Sequence, residues 1–261
     1  MKESATRHHT FDPAGQLLAI LALLGLVGAV ICSEGSGFSP IVCAALSIAT
    51  ISGVAFVFVE SRVPRPMLPL DFFRQPTFTA ATLVGLGVNF TLYGVIFVFG
   101  LYLQRIRGYS PILSGLAFLP FPMALLFSNL GAGSLSKGFN LRSLMVIGLL
   151  IGAAGYWSLH SIDAGTPYLW MLLGFVVIPL GVGLAVPAMT TALLTAAPAS
   201  RSGVASGVLN SVRQAGGALG VAVYGALLNE KGVAGVQLSF LLSAILLTVA
   251  AVVAALGVNR K

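Results

Sequence analysis

The chain has 261 residues, of which 57% are hydrophobic and only 8% are charged, and its formal net charge is +7 at pH 7. A soluble domain carries about 25% charged residues, so this composition excludes a water-soluble globular protein and indicates an integral membrane protein. A basic excess of this size would suit a nucleic-acid-binding protein in water, but in a membrane protein the basic residues must first be assigned to the two sides.

Eight apolar runs approach or exceed the length of about 17 to 25 residues that a membrane-spanning helix needs. They are Gln16–Cys32, Ile41–Val59, Thr77–Leu103, Ile112–Leu135, Ser143–Ser161, Tyr168–Leu194, Ser202–Leu228 and Val236–Gly257. The runs predict an all-α integral membrane fold with eight transmembrane helices.

The basic residues are distributed unequally between the two sides that these spans define. If both termini are cytoplasmic, ten of the 14 lysines and arginines lie in inner segments, three lie in outer loops, and Arg213 lies within the seventh span. Cytoplasmic loops of membrane proteins carry such an excess of positive charge. The sequence therefore predicts a multi-pass protein of the plasma (inner) membrane with both termini in the cytoplasm, and it requires no nucleic-acid partner.

The longest polar connection divides the spans into two plus six. It holds three prolines between Pro64 and Pro69, which stop a helix, and apolar residues beside Arg74 that suit a membrane interface. We therefore divide the chain into a cytoplasmic segment 1–14, a two-helix hairpin 15–60, an interfacial linker 61–76 and a six-helix bundle 77–261. The order of the last six spans permits two sets of three helices in inverted topology.

The outer connection between the third and fourth spans has the residues of a capped helical turn. Gly108 permits the turn, Ser110 can cap the next helix, and Pro111 fits its first position, where no amide hydrogen bond is lost.

Four segments carry a resemblance to a known family: FDPAGQLL, PLDFFRQPTF, YLQRIRGYSPILSGLAFLP and APASRSGVASGVLNSVRQAGGALGVAV. Together they resemble the second half of a major facilitator superfamily transporter, of the fourteen-span drug:proton antiporter family. The resemblance implies that the first two spans are the two extra central helices of that family and that the other six form its C-terminal bundle. It also implies export of small, amphipathic molecules or drugs by proton antiport, with an N-terminal half that is absent here.

The acidic residues bear on that function, because a proton-coupled pump needs a protonatable group in the membrane, commonly a carboxylate. All seven lie in tails, loops or span ends: Glu3, Asp12, Glu34, Glu60, Asp71, Asp163 and Glu230. We therefore expect that the chain alone does not perform proton-coupled transport. It would need a second polypeptide that supplies six spans, or a homodimer. A truncated, non-transporting membrane protein or a regulatory assembly partner remains the alternative.

By the same resemblance, the third and sixth spans line a substrate cavity. On the third span Asn89, Tyr93 and Phe97 recur every four residues and so share one face. An amide among aromatic rings suits amphipathic, often cationic molecules, although plain helix packing would explain the same residues.

The sixth span offers weaker candidates for the cavity, Phe175 and Met189. It also contains Pro179 and Pro187, which predict a break in the helix where a moving element would bend.

Arg213 lies 11 residues past Ser202 in the seventh span, about 16 Å along a helix. An arginine at that depth should face protein or water, and Asn210 and Gln214 beside it give a polar seam. The seam has three interpretations: a structural role near the inner gate, a substrate or proton-linked role, or snorkelling to the interface.

Two glycine pairs on the same span predict close contacts between helices. They are Gly203 with Gly207 and Gly216 with Gly220, each spaced four residues apart.

The inner loop from Gly133 to Arg142 occupies the place of the superfamily loop G-x-x-x-D-R-x-G-R-[KR], but only these two residues match it. The loop either sets orientation by its charge or gives Arg142 a gating role. No G-x-S-x-G or H-E-x-x-H motif and no metal-ligand spacing occurs in the chain. We expect no enzymatic activity, no cofactor and no metal.

Overall fold

A computed structural model describes residues 13–32, 39–63, 70–135 and 138–259. This part of the chain is helical and contains no strand. The helices are α1 (Pro13–Cys32), α2 (Pro40–Glu60), α3 (Pro76–Leu101), α4 (Pro111–Phe118), α5 (Pro120–Leu135), α6 (Leu141–Ser158), α7 (Tyr168–Ala196), α8 (Ser202–Lys231) and α9 (Val233–Gly257). Short 3-10 turns cover Leu70–Arg74 and Ala199–Arg201, and a π-helical turn, Tyr102–Ile106, extends α3.

In the described residues, seven helices are long and apolar enough to cross a membrane, with α4 and α5 acting as one span. The remaining predicted span, the seventh, forms α8, which is 30 residues long but lies outside this set. Glycine, serine and the polar residues around Arg213 lower its hydropathy. Because α8 packs beside α3 along most of its length, it crosses the bilayer with α3. The chain is an all-α, multi-pass membrane protein, as the sequence predicts.

Two parallel helix pairs organise the six-helix bundle. α3 runs parallel to α8, with Gly85 beside Leu209 and Gly94 beside Gly220. The span formed by α4 and α5 runs parallel to α7. The Tyr168 hydroxyl donates a hydrogen bond of 2.8 Å to the Ala117 carbonyl oxygen, and farther along both spans the Ser128 hydroxyl donates one of 2.6 Å to the Leu180 carbonyl oxygen. α3 and α8 are the first and fifth spans of the bundle, and α7 and α5 belong to its fourth and second spans. If the first three spans exchange places with the last three, the first pair takes the place of the second. Two sets of three helices in inverted topology would be arranged in this way.

Glycines allow α3 and α8 to approach until their backbones touch. A Cβ on Gly220 would overlap the Phe90 carbonyl oxygen, and one on Gly216 would lie 2.5 Å from the Leu86 carbonyl oxygen. The predicted pair of Gly216 and Gly220 is therefore confirmed as a packing surface.

The prediction that Gly203 and Gly207 form a close contact between helices is wrong for the described part of the chain. Both residues face open space, because α8 meets α3 on another face in this first half of the helix.

The first two helices pack against each other. α1 and α2 meet at Gly25, where a Cβ would lie 2.8 Å from the Ala45 carbonyl oxygen and from the Ala49 amide nitrogen. α1 also contacts α8, while many other side chains of these two helices are exposed and apolar. Lipid can cover such a surface at no cost, since its tails are as apolar as these side chains.

Prolines act differently in the two spans that contain them. The fourth span is interrupted at Leu119, where Pro120 begins α5. In contrast, α7 continues as one helix through Pro179 and Pro187, so the predicted break is wrong. Helices in a membrane tolerate proline where neighbouring helices hold the local backbone. Here α6 packs closely against Gly181, and α5 packs closely against Gly183. Both glycines lie between the two prolines.

One end of the bundle is joined by hydrogen bonds around the predicted outer turn. Ser110 caps α4 by accepting from the Leu113 amide at 3.2 Å, and Gly108 has a φ of +69°. Arg107 donates two bonds of 2.7 Å to carbonyl oxygens of the α6–α7 loop. In that loop, hydrogen bonds from the Thr166 hydroxyl and then from the Gly165 amide hold the pKa of the Asp163 carboxyl below its usual value.

The opposite end holds the described part of the interfacial linker against the bundle. Residues 64–69 lie outside the described part, and the chain resumes in the turn Leu70–Arg74. Phe72 is 4% exposed, and its ring centroid lies 5.1 Å from that of Phe78. Asp71 pairs with Arg201 at 3.1 Å, which joins the linker to the start of α8.

Candidate functional site

The accessible aromatic residues of α3 lie along its contact with α8. We call this contact the α3–α8 seam and define it by Gly85, Tyr93 and Phe97 of α3 with Arg213, Gly217 and Gly225 of α8. Tyr93 and Phe97 are 45% and 41% exposed. A Cβ on Gly217 would lie 3.0 Å from the Tyr93 ring, and one on Gly225 would lie 3.1 Å from the Phe97 ring. Each ring therefore rests on a glycine and leaves its outer surface accessible.

Asn89 does not share the accessible face of Tyr93 and Phe97. It is 3% exposed, and its Nδ2 donates a hydrogen bond of 2.9 Å to the Gly85 carbonyl oxygen. A step of four residues turns an α-helix by about 400°, so each step shifts the side chain by about 40°. Two steps are enough to bury Asn89 while Phe97 remains accessible. The predicted single face is thus divided between the core and the surface.

Phe175 and Met189 of α7 are enclosed by the bundle. The ring of Phe175 meets that of Phe99 edge-on at 4.5 Å and that of Phe118 at 5.6 Å. Met189 is fully buried, with its sulfur against Gly85. Neither offers an accessible surface in the described part of the chain, because both fill the space between α3 and α7. Their assignment to a cavity wall stays a prediction.

Arg213 is half-buried at the junction of α3, α7 and α8. Its Cγ would lie 3.3 Å from a Cβ on Gly85, beside the Met189 sulfur and Leu209. Its Nε is fully enclosed and has no hydrogen-bond partner among the residues that the structure describes. The neighbouring side chains of Asn210 and Gln214 are exposed. The predicted polar group of Asn210, Arg213 and Gln214 thus lies at the edge of the α3–α8 seam.

Arg142 lies apart from this group, in the first turn of α6. Asn140 caps that helix by accepting from the Ser143 amide at 2.8 Å. Arg142 is half-buried, and α6 packs against α7 and α9 rather than against α8. The structure therefore does not bring Arg142 together with Asn210, Arg213 and Gln214. Lys137 lies outside the described residues.

A buried group of hydroxyls inside the bundle was not identified from the sequence. Tyr224 and Ser243 share a hydrogen bond of 2.8 Å, and both are fully buried. The Tyr156 hydroxyl, beside Thr91, has no hydrogen bond of good geometry to the described residues. Hydroxyls spaced four residues apart in an apolar run, as at Ser239 and Ser243, are the pattern that could have indicated it.

The seam can therefore bind through aromatic surface and one cation. In the described ranges no three His, Cys, Asp or Glu side chains come together as they would to hold a metal ion. The seam presents two aromatic rings and a guanidinium, and the exposed amides of Asn210 and Gln214 lie beside it. These groups suit the binding and orientation of an amphipathic molecule.

Comparison with known proteins places the chain in a family. A family model described as the Major Facilitator Superfamily matches residues 11–221. The methylenomycin A resistance protein of Streptomyces coelicolor is 36% identical over 217 residues, which are 83% of this chain and 46% of that protein. The multidrug resistance protein Stp of Mycobacterium tuberculosis is 33% identical over 223 residues, 85% of this chain and 41% of that protein.

A third relative is the multidrug efflux pump LfrA of Mycolicibacterium smegmatis, 30% identical over 215 residues, 82% of this chain and 43% of that protein. The chain spans less than half the length of these three relatives. The family model, by contrast, covers most of the chain, including all of the α3–α8 seam except Gly225. The chain therefore belongs to the Major Facilitator Superfamily.

Proposed function

We propose that the chain forms one wall of the substrate cavity in a membrane transporter that exports small, amphipathic molecules or drugs. The observation that carries the proposal is the α3–α8 seam, where Tyr93 and Phe97 keep accessible rings in a segment that crosses the membrane. Half-exposed aromatic rings beside polar groups bind amphipathic molecules through stacking and a few oriented hydrogen bonds. The names of the relatives, which refer to drug resistance and efflux, support the same class of substrate.

The proposal includes three further points. The transport is proton antiport, the protein lies in the plasma membrane with both termini cytoplasmic, and six further spans come from a second polypeptide or a second copy. Support for the last point comes from the acids in the described part of the chain, none of which lies in the middle of a span. A proton-coupled cycle then needs a protonatable group from outside this part.

Drug susceptibility of a bacterial strain without its own efflux pumps tests the proposal. The chain is expressed alone, together with the first six spans of the methylenomycin A resistance protein, and as Gly220→Val in the same pairing. Resistance to at least one amphipathic drug should rise at least fourfold for the wild-type pairing only. If both polypeptides reach the membrane and resistance does not change for any drug, the non-transporting alternative is favoured.

A further inference from the structure

Arg213 presents an incompletely satisfied guanidinium to the α3–α8 seam. Its Nε is enclosed without a partner among the described residues, whereas the side chain as a whole is only half-buried. Among the described residues no acceptor pairs with the Nη groups either. A guanidinium that has lost part of its hydration without gaining an acceptor is costly, so an anion that supplies acceptors gains affinity there.

The described part of the chain does not supply that anion. Asp71 pairs with Arg201, 12 residues before Arg213 and so about 18 Å along α8. Glu230 lies 17 residues after Arg213, about 25 Å along the same helix. Asp163 is in the α6–α7 loop, and Glu60 is at the end of α2. The only ion pair among the described residues is that of Asp71 and Arg201.

The ring of Tyr93 is an accessible apolar group on the same α3–α8 seam. It rests on Gly217, which is one helical turn, or about 6 Å, beyond Arg213 on the same face of α8. A cation and an accessible aromatic ring whose positions on α8 are one helical turn apart match a molecule with an anionic head and a flat apolar body. Asn210 and Gln214 add exposed amides beside the guanidinium.

We propose that Arg213 and Tyr93 form a binding site for amphipathic organic carboxylates. The carboxylate accepts hydrogen bonds from the Arg213 Nη groups, and the apolar body lies against the Tyr93 ring. This inference rests on the proposed function and sharpens it, because it assigns an anionic rather than a cationic charge to the preferred substrate. Planar guanidinium groups suit carboxylates, since they can donate two parallel hydrogen bonds.

Binding to the purified full chain in detergent micelles tests the site with matched probes. The probes are 2-naphthoate, its neutral isostere 2-naphthamide and the cationic 2-naphthylmethylamine, measured by isothermal titration calorimetry. The wild type should bind 2-naphthoate at least tenfold more tightly than either of the other two. The ratio should fall below about twofold in Arg213→Gln and to an intermediate value in Arg213→Lys, which keeps the charge but loses the fork of donors.

Two controls keep the result specific. Arg105→Gln removes an exposed arginine far along the span and should keep the full ratio. Tyr93→Ala should weaken 2-naphthoate and 2-naphthamide by similar factors, because the ring contacts the shared apolar body. Equal binding of 2-naphthoate and 2-naphthamide to the wild type overturns the inference, even if the Arg213 variants do not fold. A tenfold ratio that survives in folded Arg213→Gln overturns it as well.

These measurements separate the inference from the proposed function. Binding in micelles does not require export, so a carboxylate preference without any gain of drug resistance rejects the export proposal alone. Export of drugs by the paired polypeptides, with no carboxylate preference at Arg213, rejects this inference alone.

Discussion

At the scale of single residues, exposure separates side chains that sequence spacing makes equivalent. Tyr93, Phe97 and Asn89 are four residues apart, yet only the two rings are accessible, and Asn89 bonds to its own helix. Accessible rings affect what binds, whereas a buried amide affects how α3 packs. Substitutions at Tyr93 and Asn89 should therefore have different consequences.

We expect Tyr93→Ala to change which drugs are exported while the amount of protein in the membrane stays within about twofold, because the ring rests on a glycine and is 45% exposed. Asn89→Leu should lower the protein level and export of every drug together, since it adds bulk inside a packed bundle. The measurement is resistance to a drug panel, with immunoblots, in cells that also express the first six spans of the methylenomycin A resistance protein. Leu83→Ala, another exposed position on α3, is the control. Equal loss for every drug in Tyr93→Ala, in proportion to protein level, would show that the ring only packs.

The linker offers a second comparison at this scale, between an ion pair and a buried ring. Asp71 and Arg201 are 61% and 52% exposed, and exposed ion pairs contribute about 0 to 1 kcal/mol. Replacing a buried phenylalanine by alanine costs about 3 to 5 kcal/mol.

Asp71→Asn should therefore leave the melting temperature of the purified protein nearly unchanged, whereas Phe72→Ala should lower it by several degrees. Thermal unfolding in detergent, followed by circular dichroism, measures both variants. If Asp71→Asn destabilises the protein as much as Phe72→Ala does, the linker is held by its charge instead of by its aromatic ring.

At the scale of elements, the closeness of α3 and α8 depends on a few glycines. Gly220 lies against the Phe90 carbonyl oxygen, and Gly94 lies against the Gly220 carbonyl oxygen. Backbones at this distance leave no room for a Cβ. If α8 moved away, the rings of Tyr93 and Phe97 would lose their contacts with the glycines of α8. Gly207 belongs to the same helix but faces open space.

We expect Gly220→Ala to destabilise the bundle by about 1 to 3 kcal/mol, the usual cost of overpacking. Gly207→Ala should be neutral or stabilising by up to about 1 kcal/mol, since alanine favours a helix and meets no neighbour. The two melting temperatures in the same detergent test this difference. Similar values for the two variants would mean that α8 relaxes away from α3 and that the seam is not rigid.

At the scale of the whole molecule, the charged residues of the turns and loops lie at two ends. Arg107 donates to the Ala164 carbonyl oxygen, next to Asp163, at one end, and Asp71 and Arg201 pair at the other. Because the membrane-spanning helix α3 separates Asp71 from Arg107, the network and the ion pair lie on opposite sides of the membrane. The excess of basic residues predicts which side is cytoplasmic.

Reporter fusions determine this orientation. Alkaline phosphatase fused after Ser36 or Asp163 should be active, because both positions are predicted to be outside, and a fusion after Lys261 should be inactive. Green fluorescent protein at the same sites should give the reverse pattern. Phosphatase activity at Lys261 would contradict the predicted topology.

The complete chain should not transport by itself. Alternating access moves one helical bundle against another around a central site, and the described residues form one six-helix bundle with an additional hairpin. Purified protein in liposomes with an imposed pH gradient should therefore show no gradient-dependent movement of ethidium or of 2-naphthoate. Uptake that a protonophore abolishes, in preparations without a second polypeptide, would instead indicate a homodimer that works as a complete transporter.

Much of this architecture could be predicted because a bilayer restricts what a sequence can do. Apolar runs such as Thr77–Leu103 must become helices to satisfy their backbone in lipid, and the turn around Ser110 and Pro111 has few alternatives. The continuity of α7 could not be predicted, because proline allows a break or a continuous helix depending on the neighbours that hold it. The candidate site was only partly predictable, since spacing placed Tyr93 and Phe97 together but could not show that Asn89 and Phe175 are buried.

The sequence by itself determined the all-helical membrane fold, the apolar runs that form its long helices and the presence of one arginine deep in a span. These follow from composition and length, which act on each helix separately. Only the tertiary structure decided which faces meet, because α3 can rotate about its axis without changing its own hydropathy. Contact with the glycines of α8 fixes that rotation, which leaves the rings of Tyr93 and Phe97 accessible and sets the enclosed Nε of Arg213 beside Gly85.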